Sequence, residues 1–398
     1  MIMKHYLINI TLAILAVLSA NIVLAGGGFD ENGVSISLFS VSDNNKVFFS
    51  KGNLQYTTTG THAVYGGGSE IGTWRFAEHQ YDYIGSENSN IAASYTGWID
   101  LFGWGTSGWN SGANAYQPWT MGQNSDYYPG GSSENDLTGT YARADWGVYN
   151  AISNGGDRPG MWRTLTEDEW VYLMETRSAS TVGGTSDARF VKATVAGTKG
   201  LIIFPDSYTH PTEVAEPTYV NSNENVYASN SYTVSQWSEM ESAGAIFLPE
   251  AGYRTGTSFY TAEPEAHYWT ATHYSEAKSY TVYSFRIYFG ADGQNERRLG
   301  QSVRLVVDES NYHVEGINDV ERKDDVRVYS RDGRIVVDQG DLWAAGSSQT
   351  IAVYDIMGRM VKQSAVSGQQ SVIPVPGRGV YMVKVGDGRP HKVMVKGY

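Results

Sequence analysis

The chain has no cysteine. Disulfide staples, thiolate metal sites and a cysteine nucleophile are therefore excluded. Charge is scarce as well: 18% of the 398 residues are charged, and 29 Lys and Arg face 42 Asp and Glu for a net −13. Such a balance leaves no broad basic surface to neutralise phosphates, which argues against a general grip on nucleic acid. No HExxH occurs, and the histidines follow no standard zinc spacing. After the first 25 residues no apolar run approaches the ~20 residues that a membrane-spanning helix needs.

What the chain does have is 45 Gly, 28 Tyr and 11 Trp, the composition of an ordered, β-rich extracellular protein. Residues 1–25 read as a secretory signal. Lys4 and His5 open it, residues 8–18 are apolar apart from Asn9 and Thr11, and Val23-Leu24-Ala25 suits cleavage before Gly26. Without a following cysteine, lipoprotein anchoring is not expected, and no transmembrane segment is expected after signal cleavage.

The clearest local signal lies in residues 160–177. Thr166 and Glu169 have the spacing of a capping box, and Leu165 with Trp170 that of a hydrophobic staple. Glu167, Asp168 and Glu169 load the positive end of the helix dipole, and Arg177 sits at the negative end. Trp170, Leu173, Met174 and Arg177 recur at i, i+3, i+4 and i+7, so one stripe faces inward. A second short helix is expected after Asp145, with Val148, Tyr149 and Ile152 on one face and Asn154-Gly155-Gly156 ending it. Strands are expected within 34–55, at 74–76, 201–204, 244–249, 268–272, 280–289 and 302–307. Strands at both ends with helices between them predict an α+β domain over 30–310 whose termini meet in one sheet. A charged linker follows at 311–325. Short β-branched segments about ten residues apart then predict a small all-β sandwich over 326–398.

Residues 94–136 are the least regular stretch. Gly103, Gly105 and Gly108 match GxGxxG, but Trp109-Asn110-Ser111-Gly112 follows where a dinucleotide site needs a helix. The stretch reads as a long ordered loop whose indoles find backbone hydrogen-bond partners. Trp104, Trp109, Asn110, Tyr116 and Trp119 are the candidate ligand-binding set, since exposed rings stack on sugars while amides fix orientation. The alternative is that these rings pin the loop to the core. Asp126, Glu134, Asn135 and Asp136 are candidate ligands of a structural calcium, against a solvated turn-rich loop. His267 and His273, with Glu263, Glu265 and Glu276, are the densest set of metal-capable side chains, though in no metal motif.

Trp162-Arg163-Thr164-Leu165-Thr166-Glu167-Asp168-Glu169-Trp170 resembles the WRLPTEAEWEYLAR segment of the formylglycine-generating enzyme superfamily and the bacterial FISUMP domain. Tyr268-Trp269-Thr270-Ala271-Thr272 is similar to their YWSST strand, and residues 300–306 to their closing GFSVRCV strand. The resemblance implies a C-type-lectin-like α+β core with long loops. The oxidase of that superfamily uses cysteines for copper, or a histidine set in a separate domain for iron; neither is here, so no catalytic residue is assigned. Glu263-Pro264-Glu265 resembles the Glu-Pro-Asn triplet of calcium-dependent lectins, but Trp269-Thr270-Ala271 stands where their Trp-Asn-Asp would, which disfavours a sugar-bridging calcium.

The tail resembles a type A sorting domain of type IX secretion, an immunoglobulin-like sandwich. Residues 351–359 carry the likeness, with Gly379, Tyr381 and Lys384 in one strand and Lys392, Val393, Val395 and Lys396 in the last. It implies that the type IX machinery recognises the folded tail and displays the protein at the bacterial surface. The tail is often lost there as the protein is tethered to lipopolysaccharide. The expected function is non-catalytic recognition of a glycan or another cell-surface ligand; the alternatives are a passive envelope protein or a cysteine-less relative of the formylglycine-generating enzymes with unknown activity.

Overall fold

A computed structural model describes residues 28–312 except 261–264 and 286–287. Beyond these it describes 327–331, 334–338, 350–355, 359–365, 370–377, 379–385 and 391–395. The expected signal at 1–25 and most of the expected linker lie outside the described residues. The chain divides into two units, Met1–His313 and Val314–Tyr398.

The first unit begins with β1 (Phe39–Ser40) and β2 (Lys46–Phe49). A long hairpin of β3 (Leu54–Ala63) and β4 (Ser69–Phe76) follows, turned by Gly66, Gly67 and Gly68, all at positive φ. Residues 77–145 contribute 3-10 turns and isolated bridges only. α1 (Trp146–Tyr149) and β5 (Arg163–Thr164) lead into α2 (Glu167–Val171). β6 (Phe190–Val195) pairs with β7 (Thr198–Ile203), and β8 (Ser231–Tyr232), α3 (Val234–Ser242) and β9 (Ile246–Pro249) complete that sheet region. A short hairpin, β10 (Tyr253–Thr255) and β11 (Ser258–Tyr260), precedes three antiparallel strands: β12 (Glu265–His273), β13 (Lys278–Phe285) and β14 (Tyr288–Glu296). β15 (Leu305–Asp308) ends the unit.

The ends of the unit do meet. β15 lies between β2 and β5, with Val306 opposite both Phe49 and Arg163. α2 starts as its residues dictate: Thr166 Oγ1 accepts from the Glu169 amide and Glu169 Oε2 from the Thr166 amide. Trp170 is fully buried, its ring centroid 6.0 Å from that of Phe49, with Leu173, Met174 and Val306 in the same core. After Val171 the helix widens into a π turn, Tyr172–Thr176. Arg177 is buried at its end, donating through Nε to the Leu173 carbonyl and through Nη1 to Asp206.

Several expectations need correction. The stretch 280–289 is not one strand: β13 ends at Phe285, which pairs antiparallel with Tyr288 of β14; an alternating pattern does not register where one strand ends and its antiparallel neighbour begins. Residues 34–38 form isolated bridges with Ile36 exposed, not a strand. The helix after Asp145 stops at Tyr149, since Asn150 is already extended and Ile152 bridges to Trp74. α3 was not expected, although Thr233 and Gln236 form a capping box and Trp237 and Met240 are buried one turn apart.

In the second unit, β16 (Arg327–Arg331), β17 (Arg334–Asp338) and β20 (Gln370–Pro374) make one antiparallel sheet. β18 (Thr350–Asp355), β19 (Met360–Ala365), β21 (Gly379–Val385) and β22 (His391–Val395) make the other. Ile335, Val337 and Ile373 of the first share one core with Ile351, Val353, Val383 and Val395 of the second. The unit is therefore a two-sheet sandwich.

The first unit buries carboxyls in two electrostatic settings. Burial pushes Asp100 and Asp145 up to about 6, against the amide hydrogen bonds that each accepts. Burial pushes Glu250 up to about 7, against the Tyr227 hydroxyl and Lys192. Burial would also raise Asp308 and Asp206, but hydrogen bonds and the charges of Arg163 and Arg177 hold them below the ordinary value. A raised carboxyl holds its proton in the folded state, so its contribution weakens as pH rises through the window between unfolded and folded values. A depressed one is lost only as pH falls below the unfolded value. Urea unfolding is expected to show stability rising from about pH 7.5 to about pH 5 and dropping below about pH 4. A profile that climbs steadily towards pH 7.5 would contradict this placement of Asp100, Asp145 and Glu250.

Candidate functional site

Side chains of β12, β13 and β14 alternate between two environments. Ala266, Tyr268, Val282 and Ala291 join the core around Trp170. The opposite face opens into a cleft of about 400 Å³, lined by Glu265 and His267 of β12, Thr281 and Tyr283 of β13, and Gly293 to Asn295 of β14. Tyr253 of β10 and Leu299 close its sides. β14 bulges where Gly290 to Gly293 oppose Tyr283 and Thr281. Gly293 is needed there: a Cβ would stand 2.9 Å from the Thr281 carbonyl oxygen.

His267 is 6% exposed and is held at both nitrogens. Glu265 Oε2 lies 2.8 Å from Nε2, and Asn295 Nδ2 lies 2.9 Å from Nδ1. An ionised carboxylate can only accept, so the proton sits on Nε2 and Nδ1 accepts from the amide. Tyr253 meets the imidazole edge-on at 5.2 Å, and Tyr283 lies across it at 4.8 Å. Tyr260 stacks on Tyr253 at 5.1 Å. Burial, then the Glu265 charge and Tyr260, push the Tyr253 hydroxyl above its ordinary value. The result is a rigid wall of aromatic faces and oriented polar atoms, suited to a polar ligand with apolar faces.

The loop candidates stand elsewhere and do not converge. Trp104 is a correction: it is fully buried, and its indole N–H donates to the Thr270 carbonyl at 2.9 Å. Arg297 covers its ring at 4.7 Å. Trp109 is half-buried against the core near Arg143, and Trp119 packs on Tyr56 at 5.9 Å. Asn110 is exposed and turns back to accept from the Gly112 amide. Tyr116 is half-buried, its carbonyl accepting from Gly108. Trp119 borders a cavity of only about 10 Å³, room for one water at most. These rings pin the loop. The GxGxxG glycines have no helix after them, as expected.

The calcium candidates are each engaged within the protein. Asp126 accepts from the Gln123 amide and from Asn114, capping a 3-10 turn. Asn135 donates to the Pro129 carbonyl, and Asp136 and Glu134 face His273. Among the described residues no three carboxylate or imidazole side chains are grouped as a metal site requires. Glu263 lies outside the described residues, and Glu276 is exposed.

Of the sorting residues, Tyr381, Val393 and Val395 are buried in the sandwich core, and the Tyr381 hydroxyl donates to the Gly377 carbonyl. Gly379 and Lys384 are half-buried on β21, and Lys392 is on β22. Lys396 lies outside the described residues. Reading the sequence picked out Glu265 and His267 as metal-capable groups but missed Tyr253, Tyr283 and Asn295. The signal available was the i, i+2 pairing of Glu265 with His267 and of Thr281 with Tyr283, each on one strand face.

Trp104→Ala is expected to cost about 3–5 kcal/mol in urea unfolding, and Trp109→Ala about 1 kcal/mol. A neutral Trp104→Ala would contradict its place in the core. No protein-family model, curated protein or solved structure matches the chain.

Proposed function

We propose that the chain is a surface-displayed bacterial recognition protein that binds a saccharide without catalysis in the His267 cleft. The observation that carries this reading is the cleft itself: aromatic rings from Tyr253 and Tyr283 beside the fixed Glu265–His267–Asn295 row. Sugars present apolar ring faces and polar edges, and a wall of this kind offers a partner to each. The non-catalytic part is supported by His267, whose two nitrogens are both engaged within the protein and leave neither for a substrate proton.

The C-type-lectin-like reading of the first unit is supported by its order of elements. A capped helix precedes the Tyr268-Trp269-Thr270 strand, and β15 closes the sheet against β2 and β5. The export reading rests on the tail's resemblance and is supported by its sandwich.

The full-length protein is expected to bind on a glycan array. Tyr253→Ala and Asn295→Ala should abolish the signal with little change in melting temperature, while Trp109→Ala keeps it. Absence of binding together with self-assembly would favour the passive envelope role instead. Deleting 311–398 should leave the protein in the periplasm; unchanged surface labelling after that deletion would sink the export reading.

A further inference from the structure

The hydrogen-bond row through His267 has a direction, and the direction sets what the cleft offers a ligand. Glu265 accepts the Nε2 proton with Oε2, so Oε1 is its remaining acceptor. Asn295 donates to Nδ1 with Nδ2, which leaves Oδ1 as the second acceptor. Neither Glu265 Oε1 nor Asn295 Oδ1 accepts a hydrogen bond from the described residues. The Thr281 hydroxyl has one proton, and the carbonyl of Tyr268 and Oε1 of Gln301 compete for it inside the sheet. Among the described residues lining the cleft there is no Lys or Arg, and Glu265 is the one carboxylate. The Tyr253 ring, stacked on Tyr260 and set against His267, stands beside these acceptors.

From this we infer that the cleft selects an amino sugar whose amine is free and protonated. The inference rests on the saccharide reading of the same cleft and narrows it to a ligand class. An ammonium group brings several donors and a positive charge, matching the two remaining acceptors and the carboxylate to which one of them belongs. An anionic sugar would meet Glu265 with no compensating cation among the described lining residues, and an N-acetylated one would lose both the charge and two of the donors.

The test is calorimetric titration of the full-length protein with three trisaccharides: β-1,4-linked glucosamine, its fully N-acetylated counterpart, and the glucose trimer. A trilysine peptide is the fourth probe. The glucosamine trimer is expected to bind about tenfold more tightly than the other saccharides. Glu265→Gln should erase that preference. With the unaltered protein, the preference should also fade as the sugar amine is deprotonated at rising pH, a measurement that does not depend on how the variant folds. Equal affinity for all three saccharides would overturn the ammonium inference and leave the saccharide reading standing. If no saccharide binds, both fall. Trilysine binding as tightly as the glucosamine trimer would overturn it too, by showing an amine read without its sugar.

Discussion

The Arg163 guanidinium holds the first unit together at the point where its distant parts meet. It sits on β5 and grips Glu169, in the helix cap, through Nη1 and Nη2, each at 2.7 Å. On its other side it grips Asp308, at the end of β15, through Nε and Nη2. Asn45 reaches the same Asp308 carboxylate from beside β2. One planar fork thus ties the start of α2 to the last strand of the unit, and bidentate geometry makes it directional as well as strong. Glu169 serves twice, since Oε2 also accepts the Thr166 amide that begins the helix. The Trp170 core and the closure of the sheet therefore share one set of hydrogen bonds.

A second constraint governs the long stretch without regular structure. Loop backbone must find hydrogen-bond partners when buried, and here buried arginines and indoles supply many of them. Arg254 donates to the Leu101 carbonyl, and Arg297 to those of Ser133 and Ser275 while lying between the rings of Trp104 and Tyr128. Trp104 and Trp269 reach the carbonyls of Thr270 and Phe102. The abundance of tryptophan is thereby explained as scaffold: the rings fill volume and their N–H groups satisfy irregular backbone.

The same sheet face that buries Tyr268 on one side leaves the cleft on the other. The bulge in β14 and the missing side chain at Gly293 open its floor, while Tyr253 arrives from a separate hairpin. Its polarity comes from a chain of fixed hydrogen bonds, not from flexible surface groups, so it is preorganised.

Local chemistry made much of the frame legible. The Thr166–Glu169 box, the Asp145 cap, the buried stripe of Trp170, Leu173 and Met174, and the alternating strands of the tail each depend on neighbours within a few residues. The absence of cysteine likewise ruled out thiolate chemistry without any structure. Where contact is non-local, the sequence was silent or misleading. Trp104 and Trp109 look alike in a Gly- and Ser-rich stretch, yet one is buried under Arg297 and the other half-exposed, because β12, 166 residues further on at Thr270, decides which is covered. Tyr253, His267, Tyr283 and Asn295 become one wall only when three strands pair and a fourth folds over them. Periodicity tells which way a side chain points; only tertiary pairing decides what it points at.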